Sequence, residues 1–588
     1  MKKIKKMFTL YAGIAALLCG CSQIDIENNN LTNHNEVGIP NLNSEIVLGE
    51  KIHNPFTVTE VQARSAAGTE ITANYIYFRC RTKNQEELKW LSETNEIMSI
   101  IPLDREIVEG GFYYKDPDVK EGEARWYYFV KSVEEFTELK SHQIETEIIE
   151  EMYFDDEDYA LLTGEGLDIP EDGYLTVDTE NCARSLWSKI KKFIKKYVAN
   201  TPRGKVTVYD AVTDSYVPVK NVQVITSQLL VISMDHTDSN GRFSIPIAYT
   251  SLGGKVQVLL RFQNAGITIK DIDADVDAVL GTILTDSVVY YEGSHWIEGI
   301  SNLKINLDKH NKAAKYATVM NAYADFIDFC EEYDMVKPAP LNVVVNSKIP
   351  NSCATLCRYG GRELIMTAAT TLEPVLGLTI TGALLPLMPD IIIGTKNHAS
   401  LEETYSATLH ELSHATHYFG LGTNGKEVWI REYYDMLSGW GKMIAEGRSP
   451  FEDCYNNGGT DLIKLIESWG YFSENYLMWQ RYKEFTIVDI DNKQTGTLGD
   501  KYFERLEYRK IPGYSKTFFY YGGLFDLLDS DNEEGVDFCE NFNYESIYMS
   551  ITTSGVNDIY IFSKILTERT GRIDEYENVI KTLERNHE

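Results

Sequence analysis

Hydrophobic and polar positions along this chain change period several times, and each change predicts a different architecture. Between Glu45 and Asp178 short alternating runs, Asn74 to Arg81 and Arg125 to Val130, predict strands, and Gln85 to Glu93 predicts a short helix. Arg184 to Tyr197 switches to helical spacing. Leu186, Ile190, Phe193, Ile194 and Tyr197 fall on one face and five lysines occupy much of the rest, which predicts a basic linker helix docked on an acidic protein. From Thr201 to about Asp277 the period returns to two, in Gly204 to Asp210, Val217 to Val224 and Thr237 to Ile245, with Asn240-Gly241 as a hairpin turn. After residue 285 helical spacing dominates. Asn311 to Tyr333 is a long amphipathic helix stopped by Pro338 and Pro340, while Leu341 to Val345, Glu363 to Thr367 and Asp390 to Gly394 predict strands. Thr379 to Pro389 is apolar but broken by Gly382 and Pro386, so it predicts a buried or cleft-lining loop.

This order predicts a multidomain α+β protein. An N-terminal mixed α/β domain covers 45–178, a basic linker helix 179–200 and a β-sandwich 201–284. A mostly α-helical domain with a small sheet covers 285–588.

Charge narrows the function. The chain has 588 residues and a formal net charge of −32, which excludes nucleic acid as a partner, because phosphate recognition needs the opposite sign. The first residues are an address. Lys2, Lys3, Lys5 and Lys6 precede an apolar run from Met7 to Gly20 that is too short to span a bilayer. Its end, Leu18-Cys19-Gly20-Cys21, resembles the lipobox of bacterial lipoproteins, which implies removal of 1–21 up to a lipidated Cys21 and anchoring to the outer membrane, facing the periplasm or the surface. The Asn-rich stretch within 22–44 then reads as a flexible tether. The remaining cysteines (80, 182, 330, 353, 357, 454 and 539) are odd in number and irregularly spaced, so they predict buried small hydrophobes rather than a disulfide framework.

Candidate chemistry concentrates in Ser400 to Gly420. Ser400 with Glu403 predicts a capping box, Glu402 and Glu403 suit the positive end of the helix dipole, and Gly420 suits a C-terminal cap. Within it stands His410-Glu411-Leu412-Ser413-His414, an H-E-x-x-H pentapeptide. Residues i and i+4 share a helix face, so both imidazoles can reach one ion, and Glu411 lies about 100° round the axis, where it reaches water rather than metal. His417, one turn on, cannot easily join them and reads as an outer or surface residue.

The helix–strands–helix order resembles that of the zincin peptidases, whose edge strand holds an extended substrate by backbone pairing. A third ligand is required. The metzincin position is Gly420, so a carboxylate from a later helix, the gluzincin arrangement, is expected. Candidates are Glu427, Glu432, Glu467 and Glu474. Glu467 leads, because a carboxylate in the apolar, aromatic run Ile463 to Phe472 is costly unless it is paired or metal-bound, and Glu432 comes second. Glu467-Ser-Trp-Gly and Pro102 to Pro117 also resemble segments of Bacteroides-type H-E-x-x-H lipoproteins. The acid usual four residues after the gluzincin glutamate is here Tyr471. The run 201–284 resembles the carboxypeptidase regulatory-like domain, a transthyretin-like β-sandwich, which implies a fold without catalytic residues.

These readings imply one Zn²⁺ held by His410, His414 and Glu467, with Glu411 as general base toward a zinc-bound water and a tyrosine steadying the oxyanion. Tyr471 is assigned that last role, with Tyr476, Tyr520 and Tyr521 as alternatives. The substrate would be a peptide, protein or glycoprotein. Two rival readings are a non-catalytic adhesion lipoprotein that keeps the zincin fold, and a protein that binds zinc structurally. Two acidic stretches, Asp155 to Asp158 and Asp529-x-Asp531-x-Glu533, read as solvated turns.

Overall fold

The structure, a computed structural model, describes residues 45–65, 68–83, 85–95, 98–120, 124–155, 199–228, 231–250, 254–271, 287–347, 352–356, 358–359, 389–433, 461–488, 494–507, 521–530 and 538–585. The leader with Cys21, the tether, the basic helix from Arg184, the strand at Glu363 to Thr367 and nearly all of the Thr379 loop lie outside them. Within them the chain is an α+β protein of several packed units.

The first unit is built on β1 (Val47–Lys51), α1 (Val58–Arg64), β2 (Tyr75–Arg81), α2 (Gln85–Thr94), β3 (Arg105–Glu109), β4 (Tyr127–Ser132), α3 (Val133–Ser141) and β5 (Glu145–Met152). Strand β2 lies between β4 and β5, both antiparallel to it. One core here joins Phe78 and Phe129 of the sheet to Leu88 of α2 and Phe136 of α3. A capping box from Ser132 and Glu135 starts α3, satisfying amide groups that the helix itself cannot.

The second unit has β6 (Arg203–Asp210), β7 (Ser215–Pro218), β8 (Gln223–Gln228), β9 (Val231–His236), β10 (Arg242–Ser244) and β11 (Val256–Arg261). Next along the chain come β12 (Ile267–Asp271), β13 (Val289–His295) and β14 (Leu303–Leu307). Two sheets form, ordered β9-β8-β11-β13 and β10-β6-β14, with β7 on β6. Val206, Val208, Val224, Val258, Leu260 and Ile305 of the two sheets lie in one core. Strand β8 is buried at all six positions. Its other face carries Ile225, which joins Leu259 and Tyr291 against Ile46, Ile101 and Ile107 of the first unit.

Two expectations change here. Asn240-Gly241 does turn the chain, with Gly241 at φ +73° and Asp238 Oδ1 accepting the N–H groups of Asn240 and Arg242. Yet β9 and β10 belong to different sheets, so the turn crosses between layers instead of closing a hairpin. The boundary expected at 284 also fails. Strands β13 and β14 lie beyond it but pair with β11 and β6, while β12 lies before it and pairs parallel with a strand of the third unit. Alternation reveals a strand but not its partner, so the interleaving was invisible in the pattern.

The third unit starts with α4 (Ala313–Glu332), β15 (Leu341–Asn346), β16 (Ile391–Gly394) and α5 (Leu401–Gly420), followed by a helical stretch over 423–433. Then come α6 (Asp461–Tyr482), α7 (Asp500–Glu507), α8 (Tyr521–Asp526), α9 (Tyr544–Ile551), α10 (Ile559–Thr570) and α11 (Tyr576–Arg585). Its sheet runs β12-β15-β16, all parallel. Residues 352–356 lie antiparallel along β16, exchanging both backbone hydrogen bonds between Cys353 and Ile392 at 2.9 Å. Helix α5 packs against α4 and α6. Gly420 ends α5 but does not cap it: a Cβ there would fall 2.7 Å from Tyr548 and Thr552 of the α9 end, so its small size serves helix packing. Arg481 of α6 ties the units together, bonding Asp210 of β6 at 3.3 Å, Tyr405 of α5 at 3.0 Å and Asp325 of α4. The cysteines at 80, 330, 353 and 539 are buried, as expected, and among the described residues they form no disulfide. Among the described residues no helix is long and apolar enough to cross a membrane.

Candidate metal centre

Helix α5 spans the predicted stretch, although its start differs from the expected box. The Ser400 side chain makes no capping bond, and Glu403 instead accepts the N–H of Ala399 at 2.7 Å. The helix is buried almost all round, because α4, α6 and α9 enclose it. His410, Glu411 and His414 are therefore 4%, 1% and 0% exposed. Burial of so many ionisable groups is costly unless they satisfy one another or hold an ion.

Helix α6 supplies the rest. Glu467, Gly470, Tyr471 and Glu474 follow the i, i+3, i+4, i+7 spacing of one helix face. Glu467 Oε2 stands 3.5 Å from His410 Nε2 and 3.7 Å from His414 Nε2. The two Nε2 atoms are 3.0 Å apart. Among the described residues, His410, His414 and Glu467 form the group whose ligand atoms all lie within 4.8 Å of one another. Donors about 2.0–2.2 Å from a tetrahedral zinc ion sit about 3.4 Å from each other, so this donor set fits one such ion.

The close approach of the helices depends on Gly470. A Cβ there would fall 2.8 Å from Cε1 of both His410 and His414. Trp469 beside it fastens the pair by donating from Nε1 to the Ser413 carbonyl at 3.2 Å. Behind His410, Glu474 Oε2 accepts from Nδ1 at 3.1 Å, and Glu474 in turn accepts from the Ser406 hydroxyl. That bond fixes the ring with Nε2 facing Glu467, as a carboxylate behind a metal-binding histidine does.

The charges differ across the group. Burial lowers the His410 pKa, but hydrogen bonds to Glu467 and Glu474 override it and lift the ring to about 10. Burial, then the neighbouring His410 and His417, keep His414 well below the usual range and therefore neutral. Burial pushes the Glu411 carboxyl well up; Glu467 and Glu474 add to this, while His410 and the backbone of Ala354 oppose it. Glu411 Oε2 has no hydrogen-bond partner among the described residues.

The other candidates separate clearly. Glu432 lies outside the ligand group, its side chain 3.4 Å from Arg431, and Glu427 is exposed. Tyr471 lies edge-on to His410, ring centroids 4.6 Å apart. Tyr476 packs instead among Tyr333, Phe472 and Tyr544, its hydroxyl 3.3 Å from that of Tyr333. Tyr520 lies outside the described residues, as do Asp531 and Glu533. His417 is not on the surface. It is 1% exposed, and burial lowers it to about 3 against a bond to the Ile551 backbone.

Sequence reasoning missed Gly470, Ser406 and the backbone of Ala354, and it offered Glu474 only as a ligand. The signal for Glu474 was present: two carboxylates seven residues apart share a face of an otherwise apolar helix. Compared with protein-family models and with curated proteins, the chain finds no match in either.

Proposed function

We propose that the protein is a zinc-dependent peptidase, an envelope lipoprotein anchored through Cys21. Its third unit is read as zincin-like with a gluzincin ligand set, and its two-sheet unit as a transthyretin-like accessory module. The observation that carries this reading is the meeting of His410, His414 and Glu467 beside an unbonded Glu411 oxygen. A zinc ion held there supplies Lewis acidity, which polarises a carbonyl and eases deprotonation of water.

Each residue then has a task. Glu411 takes a proton from the attacking water and delivers it to the leaving amine. Glu474 keeps His410 turned inward and its basicity high. Residues 352–356, antiparallel to β16 at Cys353, bring the Ala354 backbone next to Glu411. Tyr471, against His410, is the residue assigned to the oxyanion.

Metal content of the purified protein, measured beside His414→Ala and Glu411→Gln, tests the reading. Near-stoichiometric zinc that disappears in His414→Ala is expected. Glu411→Gln should keep the ion and lose cleavage of a peptide library by about 10²- to 10⁴-fold. Metal-free protein from metal-replete medium, or full turnover by Glu411→Gln, overturns it.

A further inference from the structure

The outer face of the sheet β10-β6-β14 carries a row of cations on a strongly acidic chain. Val206, Val208, Phe243, Leu303 and Ile305 point into the core, so the alternate residues Lys205, Arg242 and Lys304 point outward, and all three are exposed. The register places Arg242 opposite Lys205 on one side and Lys304 beside Lys205 on the other. Three like charges therefore stand on adjacent strands about 4.8 Å apart. Such an arrangement destabilises a sheet unless something answers it. Among the described residues nothing does: no ion pair or side-chain hydrogen bond reaches Lys205, Arg242 or Lys304.

The two acids nearby, Asp235 and Asp238, are turned to backbone N–H groups rather than paired with the cations of the row. Asp238 Oδ1 accepts the N–H groups of Asn240 and Arg242 at 2.8 Å, and Asp235 accepts those of His236 and Ser244 at 2.8 Å. The row lines a concavity of about 740 Å³, which Arg203 also enters. Hydroxyls and amides stand between the cations together with two carboxylates, Asp235 and Asp238, so four cations against two acids leave the lining a net positive charge. Thr207 donates to Asn306 Oδ1 at 2.7 Å, which leaves the Asn306 NH₂ for a ligand.

The composition of the lining selects the occupant. A peptide is recognised by a sheet edge or apolar pockets, but this is a sheet face and its apolar members, Phe243 and Leu303, are buried. A membrane surface requires apolar side chains to insert, and single-stranded nucleic acid requires aromatic platforms; the lining has neither exposed. Cations interspersed with hydroxyls and amides suit carboxylates or sulfates carried on a sugar chain.

We propose that this face binds an acidic oligosaccharide, with its anionic groups seated on the row Arg242–Lys205–Lys304. The inference does not depend on the metal centre, because the face belongs to a different unit.

Calorimetric titration of the full chain with oligogalacturonate and with dextran sulfate oligomers tests it, against neutral dextran, poly-glutamate and phosphatidylglycerol vesicles. Binding to an acidic sugar that weakens with salt, and at least about tenfold in Lys205→Ser/Lys304→Ser, is expected. Neutral dextran should give no signal. Equal binding by the double variant overturns the proposal, as does a preference for poly-glutamate or vesicles over the sugars. Without ligand the double variant should melt no lower than the parent, because repulsion is relieved. A lower melting temperature would assign the lysines to the fold and overturn the site.

Discussion

Glu474 Oε2 stands 3.1 Å from His410 Nδ1, reaching it from a helix 64 residues further along the chain. The carboxylate holds the ring's direction and its basicity together, so its effect should appear in metal affinity rather than folding. Glu474→Gln is expected to weaken metal binding about 10- to 100-fold, measured by competition with a chelator, while leaving the melting profile of the metal-free protein close to the parent's. Unchanged affinity would remove Glu474 from the site.

Gly470 sets how closely α6 can approach the two histidines. In an open helix glycine to alanine stabilises by about 1 kcal/mol. Here the added methyl collides with both rings, so the sign should reverse. Gly470→Ala should lose about 1–3 kcal/mol in denaturant unfolding and bind metal less tightly. A gain in stability would mean the helices are not in contact at that point.

Acid should destabilise the protein through histidines kept neutral by the fold. Burial, with Lys315 adding to it, lowers His398 to about 4, where its Nδ1 lies 3.0 Å from the Thr404 hydroxyl. An unfolded histidine titrates near 6.5. The unfolded state therefore binds the extra proton between those values, and the stabilisation, complete above pH 6.5, is lost as pH falls toward 4. The slope is about 1.4 kcal/mol per pH unit for each such histidine. His398→Gln should flatten the fall in urea midpoint across that window, and an unaltered slope would show that His398 is protonated in the fold.

Arg481 joins Asp210 of the two-sheet unit to Asp325 and Tyr405 of the helical unit. Lys220 still faces Asp325 at 2.5 Å if the arginine is removed, but Asp210, its side chain 6% exposed, would keep only the Tyr482 hydroxyl and local backbone N–H groups. Arg481→Met is expected to cost about 3 kcal/mol and to separate one thermal transition into two as the units uncouple. A single transition at the parent temperature would place the coupling elsewhere, in the apolar contacts.

Much of the candidate site was legible because it follows local rules. His410 and His414 fall together through helical spacing alone, and Glu467 stood out because an isolated carboxylate is expensive in an aromatic helix. The strands at Leu341 and Ile391 and the long helix from Ala313 were likewise readable from period. The capping box at Ser400 and the hairpin at Asn240 were not realised, since each motif has more than one structural outcome and tertiary packing selects among them.

By itself, then, the sequence determined the long helix from Ala313, the strands at Leu341 and Ile391 and which helix carries the paired imidazoles, and it pointed to a buried acid on a later helix. Tertiary structure alone decided that Glu474 rather than residue 471 braces His410, that Gly470 admits the second helix, that His417 is buried, and that β12 leaves its neighbours for the other sheet. The reason is range. Periodicity and side-chain cost act within a few turns of chain, whereas strand partners and helix contacts are chosen by surfaces that meet only when the whole chain has packed.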